Sequence, residues 1–294
     1  MDAAPARDDV AHFLAGICTA EGPEQLTALA RGAVRELAPR QLRRLYQEVE
    51  RAADAPRAEA FLAASPLRVM LARREPPDFE NTALSSHARF YATPGVKQSD
   101  KLLLVVFAAQ GGEAFMVEPR LLLRLPARRF DMLRLRAHDG IDYPHGVPGF
   151  GDGFGGTCRA IADLAAGYAG AAAIGSSLGA YTALRAAIAA RLQFGIALSG
   201  RFSALKWAMR RQGMRSFDPL CACIPGPGPA LRAYYSADHA RDARHAKMLA
   251  TMRPDIELRG LPGMQDHNVV PRMITDGSFD ELLKEIAQVA VRKG

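Results

Sequence analysis

Apolar positions along the 294-residue chain change their period close to residue 77. Between about residues 7 and 71 they recur three and four apart, at Leu26, Leu29, Val34 and Leu37, then at Leu42, Leu45, Tyr46 and Val49. Such spacing marks one face of a helix, and Pro23 and Pro39 each suit a first helical turn, where no N–H is needed. Three or four short helices are expected. Leu62, Leu67, Val69 and Met70 suggest one further element before Glu75, Pro76 and Pro77, which read as a boundary. Residues 1–77 form an expected N-terminal helical appendage, and residues 78–294 a second domain.

Beyond Phe79 the pattern is that of strands. Residues 85–92 suit an edge strand, and 101–107 (KLLLVVF) form a continuous apolar run, as a strand buried on both faces requires. That run ends in Ala108, Ala109, Gln110, Gly111 and Gly112, a small-residue turn through which backbone N–H groups can approach a ligand. Residues 130–135 (FDMLRL) give another strand, followed by a polar loop through His138, Asp139, Asp142, Tyr143 and His145. Residues 149–156 (GFGDGFGG) do not fit GxGxxG and sit well past the preceding strand, which argues against a dinucleotide loop. They read as a flexible loop into a helix over 158–168, placed to line a substrate entrance if the sheet is doubly wound. The fold class is α/β, a mostly parallel doubly wound sheet with an N-terminal helical segment.

Residues 171–190 (AAAIGSSLGAYTALRAAIAA) change character twice, from a small apolar strand, through Gly175, Ser176, Ser177, Leu178 and Gly179, into a helix. A bare GxSxG is common at this glycine and serine content, so its weight comes from the strand before it and the helix after it. In that context it is a nucleophile elbow, a turn too tight for side chains at its flanking positions. Residues 194–199 give a further strand. A long connection over 200–230 carries Phe202, Trp207 and Phe217 and ends in PGPGP, as lids and binding loops do. A strand over 231–236, Asp238, a helix over 242–252, a strand over 256–259, His267 and a helix over 279–291 complete the order.

Serine, acid and histidine in that order on alternating strands and helices resemble an α/β hydrolase, from about residue 82 to the end. The resemblance rests on GSSLG, on an acid after the penultimate strand and on DHNVV after the last. It implies a sheet of the α/β-hydrolase type and a serine hydrolase, esterase-like, working through an acyl-enzyme. A serine hydroxyl is a poor nucleophile at neutral pH and needs an imidazole to take its proton, which makes Ser177 the nucleophile and His267 the base. The imidazole needs a carboxylate to fix its tautomer. Asp238, directly after its strand, is preferred; Asp242 competes if Asp238 instead caps the following helix. Asp266 is too close in sequence to His267 to orient it. The oxyanion donors implied are the Leu178 N–H and an N–H from Ala109 or Gln110.

Composition narrows the remaining choices. A chain 49% hydrophobic and 23% charged is an ordinary globular one, without an apolar run long enough to span a bilayer. The first ten residues carry acids and no apolar h-region, so a cytoplasmic protein is expected. A net charge of +7 raises nucleic acid as a partner, but the arginines are interleaved with Glu and Asp as on a solvated helical face. Cys18, Cys158, Cys221 and Cys223 show neither metal spacing nor a disulfide framework, and no cofactor or metal is implied. The expected partner is a small-molecule acyl ester; the 138–156 loop leaves a sugar-bearing substrate open. An acyltransferase with the same three groups and a non-catalytic binding or assembly protein are the alternatives. The N-terminal helices read as packing, as a cover over the site, or as a homo-oligomer contact.

Overall fold

The computed structural model describes residues 9–65, 67–73, 75–109, 115–116, 118–137, 143, 146–200 and 228–291. The chain forms two compact units, Met1–Asn81 with Val117–Ala127, and Thr82–Met116 with Arg128–Gly294. The first is helical: α1 (Asp9–Thr19), α2 (Pro23–Glu36), α3 (Pro39–Ala52), α4 (Ala55–Ala63) and α5 (Arg68–Arg73). Pro23 and Pro39 open their helices as the sequence predicts. Asp54 caps α4 by accepting the Arg57 N–H at 3.0 Å, which gives four helices, and α5 falls on the further element expected around Leu67, Val69 and Met70. Their periodic residues bury one face of each helix in a common core that includes Ile17, Leu37, Leu42, Leu45, Val49 and Phe61.

The second unit is built on eight strands. In chain order these are β1 (Glu80–Ala83), β2 (Ala88–Ala92), β3 (Leu102–Phe107), then, after α6 (Glu118–Leu122) of the helical unit, β4 (Phe130–Leu135). There follow α7 (Gly153–Ala165), β5 (Gly170–Ser176), α8 (Leu178–Ala189), β6 (Phe194–Leu198), β7 (Ala230–Ser236) and α9 (Ala240–Met252). The chain ends in β8 (Glu257–Leu261), α10 (Val270–Thr275) and α11 (Ser278–Val291). The sheet order is β1-β2-β4-β3-β5-β6-β7-β8. β2 runs antiparallel to β4, while β4, β3, β5, β6, β7 and β8 are parallel neighbours. The segment expected as an edge strand is therefore covered by β1.

Every residue of β3, β4, β5 and β6 is buried, as a parallel sheet covered on both faces demands. β4 carries Asp131 into that interior, where it is matched at the start of the sheet. Lys101 Nζ donates to Asp131 Oδ1 at 2.8 Å and to Thr93 O at 2.9 Å, and the Tyr168 hydroxyl donates to Asp131 Oδ2 at 2.9 Å. Both charged side chains are 1% exposed, so removing one partner leaves a buried charge, a loss of about 3–5 kcal/mol.

Two helices depart from the sequence reading. α7 starts inside GFGDGFGG, five residues before the expected start, because positive φ at Gly146, Gly149, Gly151 and Gly153 winds this loop back to bridge Gly146 with Asp152. α10, a short helix opened by a proline at its first turn, falls where only a loop was expected. Parallel strands bring the C-terminal ends of β3, β5, β6, β7 and β8 to one edge of the sheet, where ligands bind in folds of this kind. Among the described residues, no helix is long and apolar enough to cross a membrane.

Candidate active site

At that edge the turn from β5 into α8 is held by contacts no larger residue could make. A Cβ on Gly175 would stand 2.2 Å from Gly179 O, and one on Gly179 would stand 2.4 Å from Phe107 O at the end of β3. The glycines are required because the helix starts jammed against two neighbouring strand ends. Between them Ser177 adopts φ 52° and ψ −111°, a conformation that costs a non-glycine residue about 1–3 kcal/mol. The Ser177 N–H donates to Leu198 O at 3.0 Å, one of the contacts that hold this backbone in place.

His267, in the loop after β8, brings Nε2 to 3.3 Å from Ser177 Oγ. Its Nδ1 lies 2.8 Å from Asp242 Oδ1 and 3.0 Å from Oδ2. Asp242 is 1% exposed and sits in the first turn of α9, while the His267 side chain is 21% exposed. The carboxylate on the histidine is thus Asp242, and the preference for Asp238 is corrected. The reason lies at the end of β7. Asp238 Oδ2 accepts the Gly263 N–H at 2.6 Å, Ser236 Oγ donates to Met264 O, and both tie β7 to the turn that follows β8. Nor does Asp238 cap α9: the cap is His239, whose Nδ1 accepts the Asp242 N–H at 3.3 Å. Starting the helix at residue 240, two residues before the expected start, turns Asp242 inward over the sheet edge.

Two more residues escaped sequence reasoning. Ser199, just past β6, has φ 50° and accepts the Val269 N–H at its Oγ over 3.2 Å, holding the far side of the histidine loop. No spacing rule links positions 70 residues apart. Tyr143, expected in a polar loop, is 1% exposed; its ring meets Phe107 edge-on at 5.2 Å and its hydroxyl lies 2.9 Å from Ala108 O. Burial pushes that phenol well above its ordinary value. It anchors the segment on which Ala109, half-buried, follows β3.

Leu178 opens α8, so its N–H is one of those an α-helix leaves without an intrahelical acceptor. Gln110, Gly111, Gly112, His138, Asp139, Asp142 and His145 lie outside the described residues. So do Phe202, Trp207, Phe217, Cys221 and Cys223, and with them nearly all of the expected 200–230 lid. Burial pushes the Cys158 thiol up to about 12, which leaves it an inert packing group. Among the described residues, His239, Asp242 and His267 are the one group of His, Cys, Asp and Glu side chains set to share a metal ion.

No protein-family model matches the sequence, and no curated protein matches it. Solved structures do. An esterase of the bacterial hormone-sensitive lipase family is similar at a TM-score of 0.50 and 18% identity, over 99% of this chain and 98% of that one. An esterase of Pyrobaculum calidifontis is similar at a TM-score of 0.50 and 15% identity, over 84% of this chain and 98% of that one. Likeness at such low identity speaks for architecture, and with the strand order above it establishes that this chain has the α/β-hydrolase fold.

Proposed function

We propose that the protein is a serine hydrolase that cleaves an ester or related acyl bond of a small molecule through a covalent acyl-enzyme. The observation that carries this reading is the unbroken line from Ser177 Oγ through His267 Nε2 (3.3 Å) and Nδ1 to Asp242 (2.8 Å), set on a serine held at positive φ. Asp242 accepts the Nδ1 proton, which keeps the lone pair on Nε2 facing the serine. As Ser177 Oγ bonds to the acyl carbon, its proton passes to Nε2 and the carbonyl oxygen becomes an oxyanion. That charge forms beside the Leu178 N–H at the start of α8 and an N–H of the Ala109 segment, with the helix dipole adding to both. Collapse breaks the bond to the leaving alcohol, which takes the proton from Nε2. Water then repeats the sequence and frees the acid.

Labelling with a fluorophosphonate probe tests the reading. Intact protein is expected to take one label at Ser177, with ester turnover falling on the order of 10⁴-fold or more in Ser177→Ala. An unlabelled parent protein, or equal labelling after the substitution, would mean that Ser177 is not a nucleophile. Esters of graded chain length beside acetylated sugars sort the substrate class, and product analysis with added alcohols separates hydrolysis from acyl transfer.

A further inference from the structure

Asp242 faces a second imidazole. His239 Nδ1 lies 3.0 Å from Asp242 Oδ1, the same oxygen that His267 Nδ1 approaches to 2.8 Å. As the cap of α9, His239 Nδ1 also accepts the Asp242 N–H. A ring nitrogen that accepts a backbone N–H presents a lone pair, and so does the carboxylate oxygen beside it. Nδ1 has a single lone pair, so an ion that takes it replaces the weak 3.3 Å bond from the Asp242 N–H, and a positive charge there also meets the carboxylate oxygen 3.0 Å away.

We infer that His239, Asp242 and His267 form a binding site for a divalent transition-metal ion of the Zn2+ class, and that the bound ion shuts the candidate active site. Two imidazoles and a carboxylate are the donor set that suits Zn2+ rather than Mg2+ or Ca2+, with water as a fourth ligand. Around a tetrahedral ion with bonds of about 2.0–2.1 Å, donor atoms stand about 3.3 Å apart. The contacts at Oδ1, 2.8 and 3.0 Å, need to open by only a few tenths of an ångström, while the widest pair of donor atoms, within 4.8 Å of one another, closes toward that spacing as the ion binds. The His239 and His267 side chains are 28% and 21% exposed, which gives an ion a way in, while the 1% exposure of Asp242 strengthens its attraction for charge.

Inhibition follows from the tautomer. A neutral imidazole has one ring proton, and a metal on Nδ1 leaves that proton on Nε2. The proton leaves Nδ1 through solvent and returns at Nε2, with no net release and no change of oxidation state. Nε2 then donates toward Ser177 Oγ and can no longer take its proton. This inhibitory half rests on the serine-hydrolase reading; metal binding does not.

Calorimetric titration of the full chain with Zn2+, and the visible bands of Co2+ bound with four or five ligands, test the site directly. One equivalent is expected to bind at micromolar concentration in the parent protein and equally in Ser177→Ala, which lacks only the nucleophile. His239→Ala, a change at a partly exposed cap, is expected to weaken binding at least about tenfold. Zn2+ is expected to suppress ester turnover over the same concentration range, and a chelator to restore it. No binding below millimolar Zn2+, or unchanged affinity in His239→Ala, overturns the site, and binding without loss of turnover overturns the inhibition. A protein that binds Zn2+ yet never turns over an ester keeps the site and loses the hydrolase reading. One that turns over esters but binds no Zn2+ does the reverse.

Discussion

Two turns at the same sheet edge are built on opposite principles. The β5–α8 turn is fixed within five residues by hard-sphere contact: Gly175 against Gly179, Gly179 against the end of β3, and Ser177 strained between them. The β7–α9 turn has no such restraint. Its four residues from Ser236 to His239 are set by ties to residues about 25 positions on: Asp238 to Gly263 and Ser236 to Met264. Steric turns write their requirement into adjacent letters. Turns set by distant hydrogen bonds do not, and there the acid nearest the strand end is not the one that meets His267.

Exchanging the two acids makes the largest difference between the turns. Asp242→Asn leaves the shape and removes the charge that holds His267 in its working tautomer, and kcat on a p-nitrophenyl ester is expected to fall about 10⁴-fold. Asp238→Asn should cost a few-fold in kcat and about 1–2 kcal/mol in a urea melt, the loss of a charged acceptor for the Gly263 N–H. A greater loss of kcat in Asp238→Asn would make Asp238 the partner of the working imidazole, and comparable losses would mean that Asp242 does not act on His267 alone.

The elbow glycine and the glycine to which the β7–α9 turn is tied are expected to differ less widely but in the same sense. An alanine at Gly179 must push α8 from Phe107 O, 2.4 Å from the new Cβ, and from Ala108 O at 2.7 Å, both backbone atoms that cannot swing aside. A loss of about 3 kcal/mol is expected. Gly263, by contrast, has φ 74° and open space around its Cβ position, so Gly263→Ala should lose only the left-handed preference, about 1–2 kcal/mol. Chemical denaturation of both variants measures the pair; if Gly263→Ala is the more damaging, the steric account of the elbow is wrong.

What was legible in the sequence follows this division. β3 and β5 stand out because burial on both faces leaves no polar alternation, and the elbow because sterics select glycine two residues either side of Ser177. The periodic faces of α2 and α3 are equally plain, since Pro23 and Pro39 mark their first turns. The place of His267 after the last strand pointed to its meeting Ser177, and the two side chains stand 3.3 Å apart. Asp131 gave no warning of its partners: Lys101 and Tyr168 meet it only once three strands lie side by side. The roles of Ser199 and His239 are of the same kind, since each depends on which loop the fold brings to it. The early start of α7 was hidden by glycines, which read as loop whether or not a helix follows.

The smallest effect expected is one that only the α9 side can show, because no residue of the elbow from Gly175 to Gly179 titrates. His245, one turn beyond Asp242, is 3% exposed with Nδ1 3.3 Å from Gly200 O, another tie from α9 to the end of a neighbouring strand. Burial holds its pKa below the ordinary 6.5, outweighing the bond to Gly200 O that favours the charged ring. The unfolded chain therefore takes up a proton near pH 6.5 and the folded protein only at lower pH. Between those values the unfolded state binds more protons, so this contribution to stability is whole above 6.5 and is lost as pH falls. Glu285, held below its usual 4.5 by its bond to Arg232, loses its contribution in a separate window, below 4.5. Melting temperatures taken between roughly pH 5 and 8 should fall on the acid side in the parent protein and stay flatter in His245→Gln, which keeps a donor for Gly200 O. Parallel curves for the two proteins would show that α9 is held to its strand without this histidine, and that the two turns differ in how they are built but not in how they respond to pH.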